Sequence, residues 1–195
     1  MNNLKRFTII GIIFVLITGT LAHFVYDWSG QNHIAGLFTP VNESIWEHIK
    51  LLYFPMLIYS VFMVFTLKKD FPCIVSGFCL GILAGTCFIP IFYYAYSFIL
   101  GKDFFVLDIC TFIFSVLLAF WLSYKYTLSC KLESYTLLLL LFVCVLFACF
   151  FVFTYHAPNI AIFQEPNAYP GIRQSMNSAG GRCHDTARCE SMWSE

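Results

Sequence analysis

The stretch that decides the fold reads Thr39-Pro40-Val41-Asn42-Glu43-Ser44-Ile45-Trp46-Glu47-His48-Ile49-Lys50, and it stands at the start of a long apolar segment. Thr39 or Asn42 is suited to cap a helix, and Pro40 is suited to a first helical turn. We therefore predict a helix that begins near Pro40, carries its polar groups on the opening turns and then enters a membrane.

Helical spacing indicates which of these polar groups meet. Glu43 and Glu47 are four residues apart, as are Ser44 and His48. Two ionised carboxylates on one helical face repel each other, which predicts a cation, a shared proton or a partner such as His23 between them. If both carboxylates point into water instead, the repulsion is only about a few tenths of a kcal/mol and carries no functional meaning.

The composition places the whole chain in a membrane. Hydrophobic residues make up 59% and charged residues only 11%, whereas about a quarter of the residues in soluble domains are charged. The mean hydropathy is +0.76. The 11 basic and 11 acidic residues cancel, so no global charge favours nucleic acid as a partner. We predict an all-α integral membrane bundle in contact with the lipid bilayer.

Five apolar segments are each long enough to cross a bilayer of about 30 Å. The first is long for the apolar core of a signal peptide, so we expect it to remain as a span. Residues 1–165 form the predicted membrane domain, in which residues 27–39 are an outer loop. Residues 166–195 form a predicted polar extracytoplasmic tail. The predicted transmembrane helices cover residues 7–26, 40–67, 71–100, 104–124 and 135–155.

Basic residues give this bundle an orientation. One side carries most of the lysines, which is typical of the cytoplasmic face. The basic residues of that side are Lys5, Arg6, Lys68, Lys69, Lys125 and Lys131. We therefore predict a multi-pass protein of the cell membrane with its N-terminus inside and its C-terminus outside.

This orientation brings the ionisable residues together on the outer side. His23, His48 and His156 are candidate metal ligands, and zinc is the candidate cofactor. Glu43 or Glu47 is the candidate general base, which would activate a bound water. Asp108 is the candidate carboxylate that orients a ligating histidine, with a shallow, wetted residue as the alternative.

Three classes of function remain open. The first is a structural protein in which the outer polar residues form a hydrogen-bond network between helices. The second is a hydrolase or transferase, assisted by zinc, that acts on a lipid or envelope substrate. A proton- or cation-linked carrier is disfavoured because no ionisable group lies near the middle of a span and no internal repeat is visible.

Glycines and cysteines predict packing rather than chemistry. Gly77, Gly81 and Gly85 repeat every fourth residue, a pattern that brings two membrane helices close together, either within one chain or in a homo-oligomer. Cys183 and Cys189 lie in the polar tail. The cysteines that we expect to act as small hydrophobes inside apolar runs are Cys73, Cys79, Cys87, Cys110, Cys144 and Cys149.

These residues carry a resemblance. The motif Pro-Val-Asn-Glu-Ser-Ile-Trp-Glu-His at 40–48, the segment 23–30 and Tyr155-His156-Ala157-Pro158 resemble an uncharacterised family of small bacterial multi-pass membrane proteins. The likeness covers about residues 5–170. It implies location and architecture, and the family brings no activity or cofactor with it.

A fainter resemblance is to the membrane hydrolases of the alkaline ceramidase and adiponectin-receptor type. In those proteins a Ser-x-x-x-His pair, an Asp on a later helix and a final His-x-x-x-His bind zinc, and Ser44 and His48 match the first pair. Asp108 and His156 match later parts of the pattern. Two features differ: those proteins have seven helices, and here Ile160 stands in place of the last histidine.

The orientation can be tested with reporters fused to the C-terminus. We expect a reporter that is active only outside the cytoplasm, such as a secreted phosphatase, to be active in this fusion. A fluorescent protein that folds only in the cytoplasm should stay dark, because the lysine distribution predicts an outer C-terminus. A bright cytoplasmic reporter would reverse the assignment.

Overall fold

The computed structural model describes residues 2–100 and 104–164, and within them it contains helices and no strands. Two short 3-10 turns, Glu133–Tyr135 and Ala161–Phe163, flank the last helix. The predicted tail at 166–195, with Cys183 and Cys189, lies outside the described residues. The α-helices are α1 (Asn2–Trp28), α2 (His33–Phe38), α3 (Ile45–Leu67), α4 (Ile74–Leu100), α5 (Phe105–Ser129) and α6 (Thr136–Phe153).

The all-α membrane fold is confirmed in its main feature. Within the described ranges, five helical segments are long and apolar enough to cross a membrane: α1, α3, α4, α5 and the segment that ends in α6. Their lengths of 21 to 27 residues match the roughly 20 residues that a bilayer requires. The direction in which they cross stays a prediction.

The helix begins later than the capping residues predicted. α3 begins at Ile45, and Ser44 is its N-cap because the Ser44 hydroxyl accepts a hydrogen bond from the Glu47 backbone N–H. The Asn42 side chain accepts from the Ser44 N–H at 3.0 Å and shapes the turn before the helix. The residue before a proline avoids helical backbone, which keeps Thr39 extended.

α3 lies at the centre of the bundle and packs against α1 and α4. The Tyr53 hydroxyl donates to the Val143 carbonyl of α6 at 2.7 Å, and the Tyr59 hydroxyl donates to the Phe7 carbonyl of α1 at 2.5 Å. We call the end of the bundle with His48 the histidine end. The opposite end, where α3 finishes at Lys68, is the lysine end.

The outer loop predicted between α1 and α3 contains a short helix. Asn32 caps α2, and its side chain accepts from the Ile34 and Ala35 N–H groups. α2 then ends at Phe38, before the proline. The carbonyl of Gly36 in this short helix accepts a hydrogen bond from the buried Lys50 ammonium.

Gly77, Gly81 and Gly85 form the glycine seam of α4, and α5 of the same chain packs against it. A Cβ on Gly81 would lie 2.5 Å from the Ala119 carbonyl of α5, and one on Gly85 would lie 2.8 Å from the Ala119 Cβ. A Cβ on Gly77 would lie 2.8 Å from the Ser123 carbonyl oxygen. A homo-oligomer through these glycines stays a prediction, and it would require α5 to move away.

One of the cysteines predicted to be a small hydrophobe has a different role. Cys73, in the turn before α4, forms a disulfide with Cys130 at the end of α5. Sequence patterning missed the pair because the two cysteines are 57 residues apart and only the packing of α4 on α5 brings them together. Cys79 is buried without a disulfide, as expected of a small hydrophobe.

The seam predicts that Gly81→Ala destabilises the bundle. The added methyl group would press on the Ala119 carbonyl, and overpacking of this kind costs about 1–3 kcal/mol. We expect a lower melting temperature in detergent. Cys87→Leu adds more bulk to an exposed position of the same helix and should leave melting unchanged. Equal melting of Gly81→Ala and the wild type would contradict this packing.

Candidate functional site

A buried lysine organises the histidine end. The Lys50 side chain is 0% exposed, and its ammonium donates to the Glu47 carboxylate at 2.7 Å and to the Thr154 hydroxyl at 2.7 Å. It also donates to the Gly36 carbonyl at 2.8 Å and approaches the Thr39 carbonyl at 3.5 Å. We call these groups the Lys50 network.

Glu47 completes the Lys50 network from the acidic side. Its side chain is 2% exposed, and the oxygen that receives Lys50 also accepts the Val41 N–H at 3.0 Å. Burying two charges is favourable only when their geometry is good and further hydrogen bonds satisfy them. Both conditions are met here, so the pair fastens α2, the turn before α3 and the end of α6 to one another.

Tight packing seals this network from solvent. A Cβ on Gly36 would lie 2.5 Å from both the Tyr155 hydroxyl oxygen and a methyl carbon of Val41. The same Tyr155 hydroxyl donates to the His33 carbonyl at 2.6 Å. Only a glycine therefore allows α2 to come close enough for its carbonyl to reach Lys50.

A second group of polar residues lies in a more open position at the same end. His23 comes from the C-terminal part of α1, Glu43 from the turn before α3, and His48 from the first turn of α3. The Glu43 carboxylate is 3.4 Å from His48 Nε2 and 3.7 Å from His23 Nε2. The two imidazole rings are 5.4 Å apart between centroids. These three residues are the His–Glu cluster.

The backbone decides which nitrogen of His48 faces the cluster. His48 Nδ1 is 2.9 Å from the Ser44 carbonyl, and a carbonyl oxygen only accepts, so Nδ1 carries the proton. Nε2 is therefore the nitrogen that faces Glu43. A ligating histidine in metalloproteins commonly has its other nitrogen bonded to a backbone carbonyl in this way.

The spacing of the His–Glu cluster fits a small divalent ion. One ligand atom from each residue lies within 4.8 Å of the others. Two ligands at about 2.0–2.1 Å from a tetrahedral zinc are about 3.3–3.4 Å apart. The distance from Glu43 Oε2 to His48 Nε2 is 3.4 Å, and that from the other oxygen, Oε1, to His23 Nε2 is 3.7 Å. The imidazole and carboxylate donors are those that zinc prefers. Glu43 is 66% exposed, so the cluster opens to its surroundings.

The structure separates the candidate residues predicted from the sequence. Glu43 lies before the helix, so the two carboxylates do not share a helical face, and Glu47 pairs with Lys50 instead. His156 is exposed, and the His–Glu cluster does not include it. Asp108 accepts a hydrogen bond from the Tyr96 hydroxyl of α4. Its role in orienting a histidine stays a prediction.

Two residues of the site were missed from the sequence. From the sequence, no partner is predicted for Lys50 and no role for Thr154. The three-residue spacing of Glu47 and Lys50 was a usable signal for an ion pair. No sequence signal connects Lys50 with Thr154, because 104 residues separate them.

Within the described residues, the fold defines a class of protein, a helical membrane bundle with five candidate spans and two groups of polar side chains at one end. The sequence model of a family of unknown function, DUF6512, matches residues 1–169, so the chain belongs to that family. Membership of an uncharacterised family, as the sequence motifs predicted, is confirmed. No curated protein and no solved structure matches the chain.

The buried ion pair predicts a double-mutant cycle with a large coupling. Lys50→Met leaves Glu47 buried without its cation, and Glu47→Leu leaves the ammonium unpaired, so each should cost about 3–5 kcal/mol. The double variant contains neither charge and should lose clearly less than the two single losses combined. Thermal and denaturant unfolding in detergent measure these differences.

The control for the cycle is Lys68→Met. Lys68 is exposed at the end of the same helix, and surface substitutions usually change stability by less than about 0.5 kcal/mol. A Lys50→Met variant that unfolds like this control would show that Lys50 does not hold the histidine end together.

Proposed function

We propose that this chain is a zinc-binding protein of a bacterial cell membrane and that the His–Glu cluster holds the ion on the outer face. The observation that carries the proposal is the meeting of three ligand atoms from His23, Glu43 and His48 within 4.8 Å of one another. These side chains come from two spans and the turn between them, so the bundle has to be folded before the three can meet.

The shape of the cluster supports a site with an open coordination position. Zinc sites that are purely structural have four protein ligands, whereas catalytic ones have three and a water. The His–Glu cluster offers three, with the side chains of His23 and His48 29% and 30% exposed. A fourth position would therefore be free for water or for a ligand that arrives from the membrane surface.

The structural function and the metal function would belong to different residues. The Lys50 network supports the first, since its buried ion pair joins α2, α3 and α6. The His–Glu cluster supports the second. The stretch 39–50 contributes residues to both polar groups. The Lys50 network fixes the turn that contains Glu43, because the Val41 N–H donates to Glu47.

A second candidate function is hydrolysis or group transfer on a lipid or envelope substrate. Its support is the open coordination position at a membrane surface, where a zinc-bound water would act as the nucleophile. In this arrangement Glu43 is a ligand, and Glu47 is held by Lys50, so neither has the role of a free general base. His23, Glu43 and His48 would hold the ion, and zinc would supply Lewis-acid activation of a water at the open position.

Elemental analysis of detergent-purified protein tests the zinc proposal. Protein treated with a thiol oxidant, which keeps the Cys73–Cys130 disulfide closed, and then incubated with zinc and desalted should contain about one zinc per chain, as expected for a three-ligand site. His23→Ala and His48→Ala should each lose the ion, because two remaining ligands bind weakly. Zinc should also raise the melting temperature of the wild type and not that of either variant.

His156→Ala is the matched control, since it removes an exposed histidine at the same end. This variant should keep its zinc and its zinc-dependent melting. With the disulfide kept closed, wild-type protein without bound zinc, or a His48→Ala variant that still contains it, would overturn the zinc proposal and the metal-assisted hydrolase with it.

A further inference from the structure

Three potential metal ligands also meet at the lysine end, far along the bundle from the His–Glu cluster. Cys73 lies in the turn that leads into α4, and Cys130 is the residue after α5. Their Cα atoms are 5.3 Å apart and their sulfurs are bonded. The Glu133 carboxylate lies 3.7 Å from the Cys73 sulfur. One atom from each of the three residues lies within 4.8 Å of the others.

The backbone is bent to bring Cys130 into this position. Cys130 has φ 51° and is in the left-handed conformation, at the place after a helix where glycine or asparagine is usual. Non-glycine residues seldom adopt this conformation, because the Cβ crowds the backbone. The strained backbone conformation occurs at the residue whose sulfur contacts Cys73. Backbone strain of this kind is often found at functional sites.

The local spacing is that of a metal-binding turn. Cys130 and Glu133 are three residues apart in one turn, and the Glu133 N–H donates to the Cys130 carbonyl at 3.3 Å. Structural zinc sites commonly draw two ligands from such a short turn and the others from a distant segment. Cys73, which is 2% exposed, is the distant ligand.

The lysine distribution predicts that this end faces the cytoplasm. There the thiol pools keep most cysteine pairs reduced. A cellular dithiol of the thioredoxin class, or two glutathione molecules, would supply two electrons and two protons to the disulfide. The products are the Cys73 and Cys130 thiols and the disulfide of the reductant. Glu133 is then beside two free thiols.

We propose that reduced Cys73 and Cys130, with Glu133, bind a thiophilic divalent ion of the zinc class at the lysine end. Binding displaces one proton from each thiol, so two thiolates and one carboxylate coordinate the ion, and a water completes the site. Soft thiolates favour zinc over magnesium or calcium. Oxidation to the disulfide removes both sulfur ligands, which makes this site dependent on the thiol redox state.

The proposed metal site and the disulfide connect the same two helices. Either one ties the start of α4 to the end of α5, the two helices that meet along the glycine seam. The proposal rests on the cytoplasmic position of the lysine end. It does not rest on zinc at the histidine end, because the two sites share no residue.

The test uses the full chain in detergent with His48→Ala, which silences the His–Glu cluster. Half of the protein is treated with a phosphine reductant and half with a thiol oxidant, and each half is then incubated with zinc and desalted. We expect about one more zinc per chain in the reduced half than in the oxidised half. Cobalt in place of zinc should give a near-ultraviolet thiolate-to-metal absorption band in the reduced half alone.

Variants separate this site from adventitious binding. Cys73→Ser and Cys130→Ser should each lose the additional ion, and Glu133→Gln should bind it at least tenfold more weakly, because a neutral amide is a poorer ligand. Cys87→Ser, which removes an exposed thiol of α4, should keep it. Equal zinc contents in the reduced and oxidised halves, or an additional ion retained by Cys73→Ser, would overturn the proposal.

Two further measurements decide the matter if a cysteine variant fails to fold. Glu133→Gln retains both cysteines, so its zinc affinity and the cobalt band of the reduced parent protein give the answer alone. Acid quenching of intact cells followed by alkylation should find Cys73 and Cys130 as free thiols. A pair that is fully oxidised in the cell would contradict the reduced site.

Discussion

A buried positive charge with every donor engaged holds the histidine end of this bundle together. The Lys50 ammonium has no contact with solvent and bonds to a carboxylate, a hydroxyl and backbone carbonyls from three separate segments. Water cannot replace these partners at such depth, so the segments can separate only if the charge is exposed or left unpaired, and both are costly. Elsewhere α2 is held by the Tyr155 hydroxyl, which donates to the His33 carbonyl, and by ring contacts of Phe38 with Phe54 and Phe151.

That constraint also determines where the remaining polar groups go. Since Glu47 is committed to Lys50, Glu43 is the carboxylate that meets His23 and His48. The turn that carries Glu43 is itself anchored, because the Val41 N–H bonds to Glu47. A single polar stretch therefore supplies both members of the buried ion pair and two of the three residues of the His–Glu cluster, and the ion pair helps to position Glu43.

The two ends of the bundle bring different types of side chain together. At the histidine end, nitrogen and oxygen ligands come together around an opening, whereas at the lysine end two sulfurs and one carboxylate lie where α4 meets α5. The glycine seam brings these two helices close enough for Cys73 and Cys130 to meet. The redox pools on the two sides of a membrane differ, so the side that each end faces matters for both groups of ligands.

The number of spans, their approximate bounds and the clustering of histidines near helix ends follow from the sequence. Long apolar runs have only one stable backbone arrangement in lipid, which is the helix. The predicted membership of an uncharacterised family is also confirmed. Helical spacing failed for Glu43 and Glu47, because Ser44 starts the helix between them. The partners of Lys50 and Cys73 depend on residues many positions away, and only packing decides which distant helices bring them. Local patterns determined where polar groups lie along the chain, and the tertiary structure decided which of them touch, since each contact depends on how closely neighbouring helices approach.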